Sequence, residues 1–390
     1  MIDKQPIIDI SQSKELDFLL TLLREENKSE EIIPSKEINW SYFLELVKHH
    51  RVCPLVYLRL KDTPDAVPSN VIEALFQEYK KNTFKMLQLT GEMESLDKVF
   101  QENDIETLCL KGPPVAYDLF GDISLRMSKD LDILVREEEL ERTESTLFSL
   151  GYEKEEISTV LNEKKWRSHH IVYYHPNKKV QVEVHWRLHP RPIKRASFEE
   201  LWSRKRESQV TKHPISFMGK EDLLLYLISH GARHGWFRLR WLKDIDQMVR
   251  NKDINYVHFK KLAIKHQQKN LVGQAFQLAH LFFQTPVHEE LQGIINTKAA
   301  NQLAEKAIPF IKEMVQLHVH SQTKSLEKSY KNYLFSMKTK RQKCKFLIIS
   351  FYPSSADERT FRLPKSLYFL YFLLRPFLWS WRKLKKSVLF

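Results

Sequence analysis

The segment Asp130-Leu131-Asp132-Ile133-Leu134-Val135 constrains the fold more than any other, because its acids recur at every second residue. A period of two is that of a β-strand, so Asp130 and Asp132 leave a sheet on one face while Leu131, Ile133 and Val135 leave on the other and need a core. Two carboxylates set so close repel unless a cation lies between them. Oxygen ligands in this arrangement suit Mg²⁺ or Mn²⁺, which take one or two carboxylates together with substrate phosphates. The segment Val180-Gln181-Val182-Glu183-Val184-His185-Trp186 alternates in the same way, with Gln181, Glu183 and His185 opposite the valines and Trp186. If the two strands share a sheet and a register, Glu183 joins the acid pair. Three such carboxylates can hold two metals, activate an attacking hydroxyl and neutralise charge on a transferring phosphoryl group.

Upstream, the apolar run Thr107-Leu108-Cys109-Leu110 ends at Lys111-Gly112, and Pro113-Pro114 then suits the first turn of a helix. The turn presents Lys111 toward the same end of the sheet as Asp130, where Lys111, Gly112 and Arg126 are placed to hold donor phosphates. A second cluster, His230-x-x-x-His234 with Arg233, Trp236, Arg238, Arg240, Trp241 and Asp244, puts both imidazoles on one helix face. No Glu follows His230 in the zinc-protease manner. Substrate recognition is the economical role, with His230, His234 and Trp236 or Trp241 stacking on a base or sugar and Arg233 or Arg240 holding phosphate; a packing cluster in which Asp244 pairs with an arginine is the alternative. His185 lines the same site beside Glu183, while Trp186 belongs to the core.

Taken together, these blocks resemble the bacterial nucleotidyltransferase family proteins of the DNA polymerase beta-like superfamily. The likeness lies in Leu110-Lys111-Gly112 through Arg126 to Val135, in Glu183-Val184-His185-Trp186-Arg187-Leu188, and in His230-Gly231-Ala232-Arg233-His234-Gly235-Trp236 with Arg240 to Asp244. Weaker echoes at Trp40, at His49 to Leu60 and at Leu370 to Pro376 spread it over most of the chain. The resemblance implies an α+β fold, a polymerase beta-like core of a small mixed sheet with helices, flanked by N-terminal and C-terminal helical regions. It also implies Mg²⁺-dependent transfer of a nucleoside monophosphate from an NTP, with Asp130, Asp132 and Glu183 as catalytic metal ligands. Relatives beside ribosomal peptide biosynthesis, including lasso peptides, make a peptide one candidate acceptor. One departure stands out: the superfamily has Gly-Ser or Gly-Gly at the turn, where this chain has Lys111-Gly112. A lysine there acts on phosphate as a point charge, and the donor is left open between an NTP and a nucleotide sugar. A non-catalytic module that binds nucleotide or RNA is the reading from a different class.

Composition supports an enzyme of several parts. With 390 residues, 42% of them hydrophobic, the chain can bury a sizeable core, and its nine glycines include no G-x-G-x-x-G or P-loop pattern. Helical periodicity over residues 1–103 and 191–323 brackets a catalytic core at 104–190, and a basic, aromatic-rich helical tail occupies 324–390. That tail carries 16 Lys and Arg against 3 Asp and Glu, an excess equal to the +13 of the whole chain. An anionic membrane surface or nucleic acid is the partner such charge attracts. Cys53, Cys109 and Cys344 are too few and too scattered for a disulfide framework, and Met1 to Pro6 shows no basic-then-apolar leader. A cytoplasmic protein, peripheral at the membrane if the tail docks there, is the expectation.

Overall fold

A computed structural model describes residues 13–24, 37–63, 66–155, 169–190, 196–315 and 324–388, so the expectation about Met1 to Pro6 lies outside the described residues. Among the described residues seven strands, numbered in chain order, form one mixed sheet: β1 (Leu108–Cys109), β2 (Leu131–Leu134), β3 (Glu153–Lys154), β4 (His170–His175), β5 (Val180–His185), β6 (Arg206–Ser208) and β7 (Ile215–Phe217). The order across the sheet is β3-β4-β5-β2-β1-β7-β6. The two alternating segments of the sequence lie side by side at its centre. β2 and β5 run parallel, β1 is antiparallel to β2, and β4 returns antiparallel on β5. Leu131, Ile133, Val182 and Val184 are all buried, as the period of two requires of an inward face. Most of the other described residues are helical, and the molecule is α+β as expected.

Two differences from the sequence reading follow from short strands. β6 and β7 lie in the stretch expected to be helical, and β7 joins the far side of β1 through a single parallel pair, Cys109 with Phe217. Two- and three-residue strands are too brief to display a readable period. Of the apolar run Thr107 to Leu110 only Leu108–Cys109 forms strand, although the Leu110 amide still donates to Asp132 O at 2.9 Å.

Helices brace the sheet. Ser69–Glu102 buries Leu75 and then, at three- and four-residue spacing, Met86, Leu89, Met93, Leu96 and Phe100. Its Asn82 amide donates to Ser124 O at 2.6 Å, which anchors the approach to β2. Helix Pro113–Phe120 has Pro at its first positions and ends on Gly121 in the left-handed region at φ 71°. Downstream, Lys220–Arg233 and Leu239–Asn251 pack as a pair, and helix Lys324–Ser336 is tied to the first of them: Tyr333 Oη donates to Ala232 O at 2.8 Å and Tyr330 Oη to Arg233 O at 2.7 Å. Among the described residues, no helix is long and apolar enough to cross a membrane.

Candidate functional site

The register of the two central strands puts an acid beside an acid. Asp132 pairs directly with Glu183 and Leu134 with His185, so Asp132, Glu183 and His185 leave the sheet on one face. β4 extends that face, because His170 pairs with His185. From the turn after β1, Lys111 reaches back until its Nζ lies 2.9 Å from Asp132 Oδ1. Gly112 makes the turn feasible: its φ of 90° is a backbone conformation that a side chain would strain. His185 Nε2 bridges the acids, 3.2 Å from Asp132 Oδ1 and 3.4 Å from Glu183 Oε2, and His170 Nε2 stands 3.8 Å from the same Glu183 oxygen.

The charges here are incompletely balanced. Asp132 is 1% exposed, yet its Oδ2 has no hydrogen-bond partner, and neither has His185 Nδ1. Burial favours the neutral acid at Asp132, but the Lys111 ammonium and the His185 hydrogen bond outweigh it and hold the carboxyl well below the usual range. Lys111 stays charged for the same reason: burial opposes its charge, and Asp132 more than offsets that. Asp130 goes the other way, pushed up to about 6 by burial and then by the Asp132 charge. Glu183 is lowered, burial being outweighed by the hydrogen bond from His185. An orphaned carboxylate oxygen in this setting costs free energy unless a cation meets it. One ligand atom each from Asp132, Glu183 and His185 lies within 4.8 Å of the others, an O, O, N set that suits Mn²⁺ as well as Mg²⁺. His169, His170 and His185 form a second such group.

Not every residue singled out from sequence reaches this face. Arg126 is 2% exposed and its fork is engaged by Asp244, Nε at 2.9 Å and Nη2 at 3.0 Å, the bidentate geometry of a buried structural pair. His230 lies close enough to Lys111 that burial and then the Lys111 charge depress it well below its ordinary value. His234 stacks on Trp241 with ring centres 5.1 Å apart and packs against His230 at 4.6 Å. Arg233 Nη1 lies 3.0 Å from His169 Nε2, which connects the second cluster to the imidazoles of the sheet face.

Beside Asp130, Arg238 and Arg240 of the second cluster gather with Arg51, which sequence reasoning did not join to them. His49 Nε2 lies 2.9 Å from Phe237 O and His50 Nδ1 accepts from the Leu239 amide at 3.2 Å, so Arg51 is pinned against Arg238 and Arg240. Arg240 also donates to Met127 O, just ahead of β2. Burial and then Arg238 lower Arg51 to about 10, an effect Asp130 opposes; burial and then Arg126 and Arg51 lower Arg240 to about 9. The Nε atoms of Arg238 and Arg240 are buried without partners. Cations crowded together in this way await an anion. Nearly two hundred residues separate Arg51 from Arg238, so only the paired histidines before Arg51 hinted at the contact. His169 and His170 were missed because a lone His-His pair ahead of a strand has no distinguishing spacing.

A family model described as an uncharacterised nucleotidyltransferase matches residues 36–284, well over half of the chain. No curated protein and no solved structure matches it.

Proposed function

The chain belongs to the uncharacterised nucleotidyltransferase family, and from that membership we propose a metal-dependent enzyme that moves a nucleoside monophosphate from an NTP to a hydroxyl or phosphate of an acceptor. The observation that carries this reading is the Asp132–Glu183 pair in register, with Lys111 at one side and an unpartnered carboxylate oxygen between. Asp132, Glu183 and His185 are the residues that would hold Mg²⁺ or Mn²⁺, with Asp130, which feels the charges of Asp132 and Glu183, adding its own nearby. A divalent ion bound there supplies neutralisation of the charge on the reacting phosphates.

The chain's own residues account for the rest of the chemistry. Arg51, Arg238 and Arg240 bind the donor's β- and γ-phosphates, and Lys111 exchanges part of its contact with Asp132 for a phosphate oxygen. An acceptor oxygen then attacks the α-phosphorus in line, the bond from that phosphorus to the β-bridging oxygen breaks, and pyrophosphate leaves on the arginine side. Glu183 takes the proton of an acceptor hydroxyl, since it is half-buried and ionised. His234, partly exposed and stacked on the buried Trp241, would meet base or sugar at the edge of that packed cluster.

The test is a thermal-shift screen of ATP, GTP, CTP, UTP and a UDP-sugar, each with and without Mg²⁺ or Mn²⁺, on the wild type and on Asp132→Asn. The expected result is metal-dependent stabilisation by a triphosphate that the variant loses. Equal stabilisation of both proteins would remove the proposal. Mass spectrometry of acceptors then separates transfer of a nucleoside monophosphate from transfer of a sugar by mass alone.

A further inference from the structure

Outside the family-matched stretch, the C-terminal segment carries the whole chain's excess of positive charge, 16 Lys and Arg against 3 Asp and Glu over residues 324–390. Its last helix, Tyr371–Val388, is amphipathic in the opposite sense to a helix on a globular surface. Its two arginines face inward: Arg375 and Arg382 both pair with Asp357, which is fully buried, and Tyr371 Oη donates to Phe361 O at 2.8 Å. Apolar residues face outward. Leu373 is 72% exposed, Phe377 74%, Trp381 64% and Leu384 62%, and spacings of four, four and three place them on one line of the helix. Ile348 and Phe351, at the end of helix Lys340–Ser350, are exposed as well, and Arg375 Nε donates to Ser350 O, which holds the two helices together.

We propose that this segment is a docking surface for an anionic lipid bilayer. The stripe Leu373, Phe377, Trp381 and Leu384 enters the boundary between headgroups and acyl chains, and the lysine excess meets the negative headgroups. Charge complementarity selects this occupant: an apolar stripe within a strongly basic segment fits a surface that is greasy below and anionic above. Nucleic acid fits less well, because the two arginines of this helix, the side chains best suited to phosphates, are turned inward onto Asp357. With no described helix able to cross a bilayer, the segment lies on the membrane rather than through it.

Vesicle flotation with the full chain tests the proposal, comparing phosphatidylcholine–phosphatidylserine vesicles with phosphatidylcholine alone. The wild type should float with the anionic vesicles, and the double variant Phe377→Ser with Trp381→Ser should partition about tenfold more weakly. High salt should weaken binding too, while Ile264→Ser, which removes an exposed apolar side chain from the body, should leave it unchanged. Both positions altered in the double variant are exposed, so its circular dichroism and melting should match the wild type. Equal partitioning of wild type and double variant, or equal binding to neutral vesicles, would overturn the proposal. So would a solution dimer, seen by light scattering, that the double variant splits, or binding of an oligonucleotide without any vesicle binding.

Discussion

Two buried aspartates, one on the central sheet and one in the C-terminal segment, are treated in opposite ways. Asp357 has both oxygens engaged: Arg382 Nη2 donates to Oδ1 at 2.7 Å, the Ser354 amide and hydroxyl donate to Oδ2 at 2.8 and 3.0 Å, and Arg375 donates to Oδ2 as well. Asp132, equally buried, concentrates Lys111 and His185 on Oδ1 and leaves Oδ2 bare, with two further carboxylates near it. The first arrangement is complete and can serve as a clamp for the C-terminal helix. The second gains by binding something. The difference separates a charge kept for structure from one kept for chemistry, and Arg126–Asp244, bidentate and enclosed, falls with the first kind.

Substitutions should divide along the same line. The largest effect expected is on transfer by Asp132→Asn, a fall on the order of a thousandfold in kcat/KM, measured once the donor is known from the thermal-shift screen; near-normal turnover would place Asp132 with the structural acids. Asp357→Ala leaves two arginines without their counter-charge and should cost about 3–5 kcal/mol in the C-terminal segment. Limited proteolysis should then cut residues 340–388 far earlier than in the wild type, with nucleotide-dependent stabilisation intact. Arg126→Met should cost a similar amount, about 3–5 kcal/mol, read here as a lower denaturation midpoint for the whole body. Its donor affinity per folded molecule should stay within about twofold, whereas a large loss of affinity would return Arg126 to the donor-holding role its place in the sequence suggests.

Much of this division was legible in the chain, for reasons tied to period and distance. Strict alternation at 130–135 and 180–186 assigned Asp132, Glu183 and His185 to one face, since a strand offers no other arrangement. Pairing of the two strands was an added assumption, and their parallel register is what the structure contributes. Lys111 was readable because a turn after an apolar strand has few places to point. Arg126 was harder: its approach to the acids along the chain is short, but the partner that engages it is Asp244, on a helix more than a hundred residues later. Arg238 and Arg240 stood together in the sequence, but Arg51 could not be joined to them for the same reason. The inward arginines of the last helix were also unreadable, because the apolar pattern of 367–381 alone suits either a buried face or a membrane face until Asp357 decides which way the helix turns.

The smallest effect expected is also the one whose sign separates the two regions most clearly. Asp130 is raised to about 6 in the folded protein from an ordinary value near 3.8, by burial and then by the Asp132 charge. Between those two values the folded state binds a proton that the unfolded state has released, so stability falls as pH rises through that window and levels off above it. Across roughly two pH units this amounts to about 3 kcal/mol at most. Asp130→Asn lacks the titration and should therefore be more stable than the wild type at neutral pH in EDTA, with the advantage shrinking toward zero near pH 4. Asp357 has the opposite sign. Its carboxyl is lowered, burial being outweighed by Arg382 and the Ser354 amide, so its stabilisation is present above the ordinary carboxylate range and is lost as the pH falls. Mn²⁺ or Mg²⁺ at neutral pH should remove most of the difference between wild type and Asp130→Asn by stabilising the wild type more. Chemical denaturation of both proteins at pH 4 and pH 7, with and without the ion, checks this directly: an Asp130→Asn protein less stable than the wild type in EDTA at pH 7 would mean that the Lys111 and arginine charges already compensate the acids, and the case for a cation at this site would go with it.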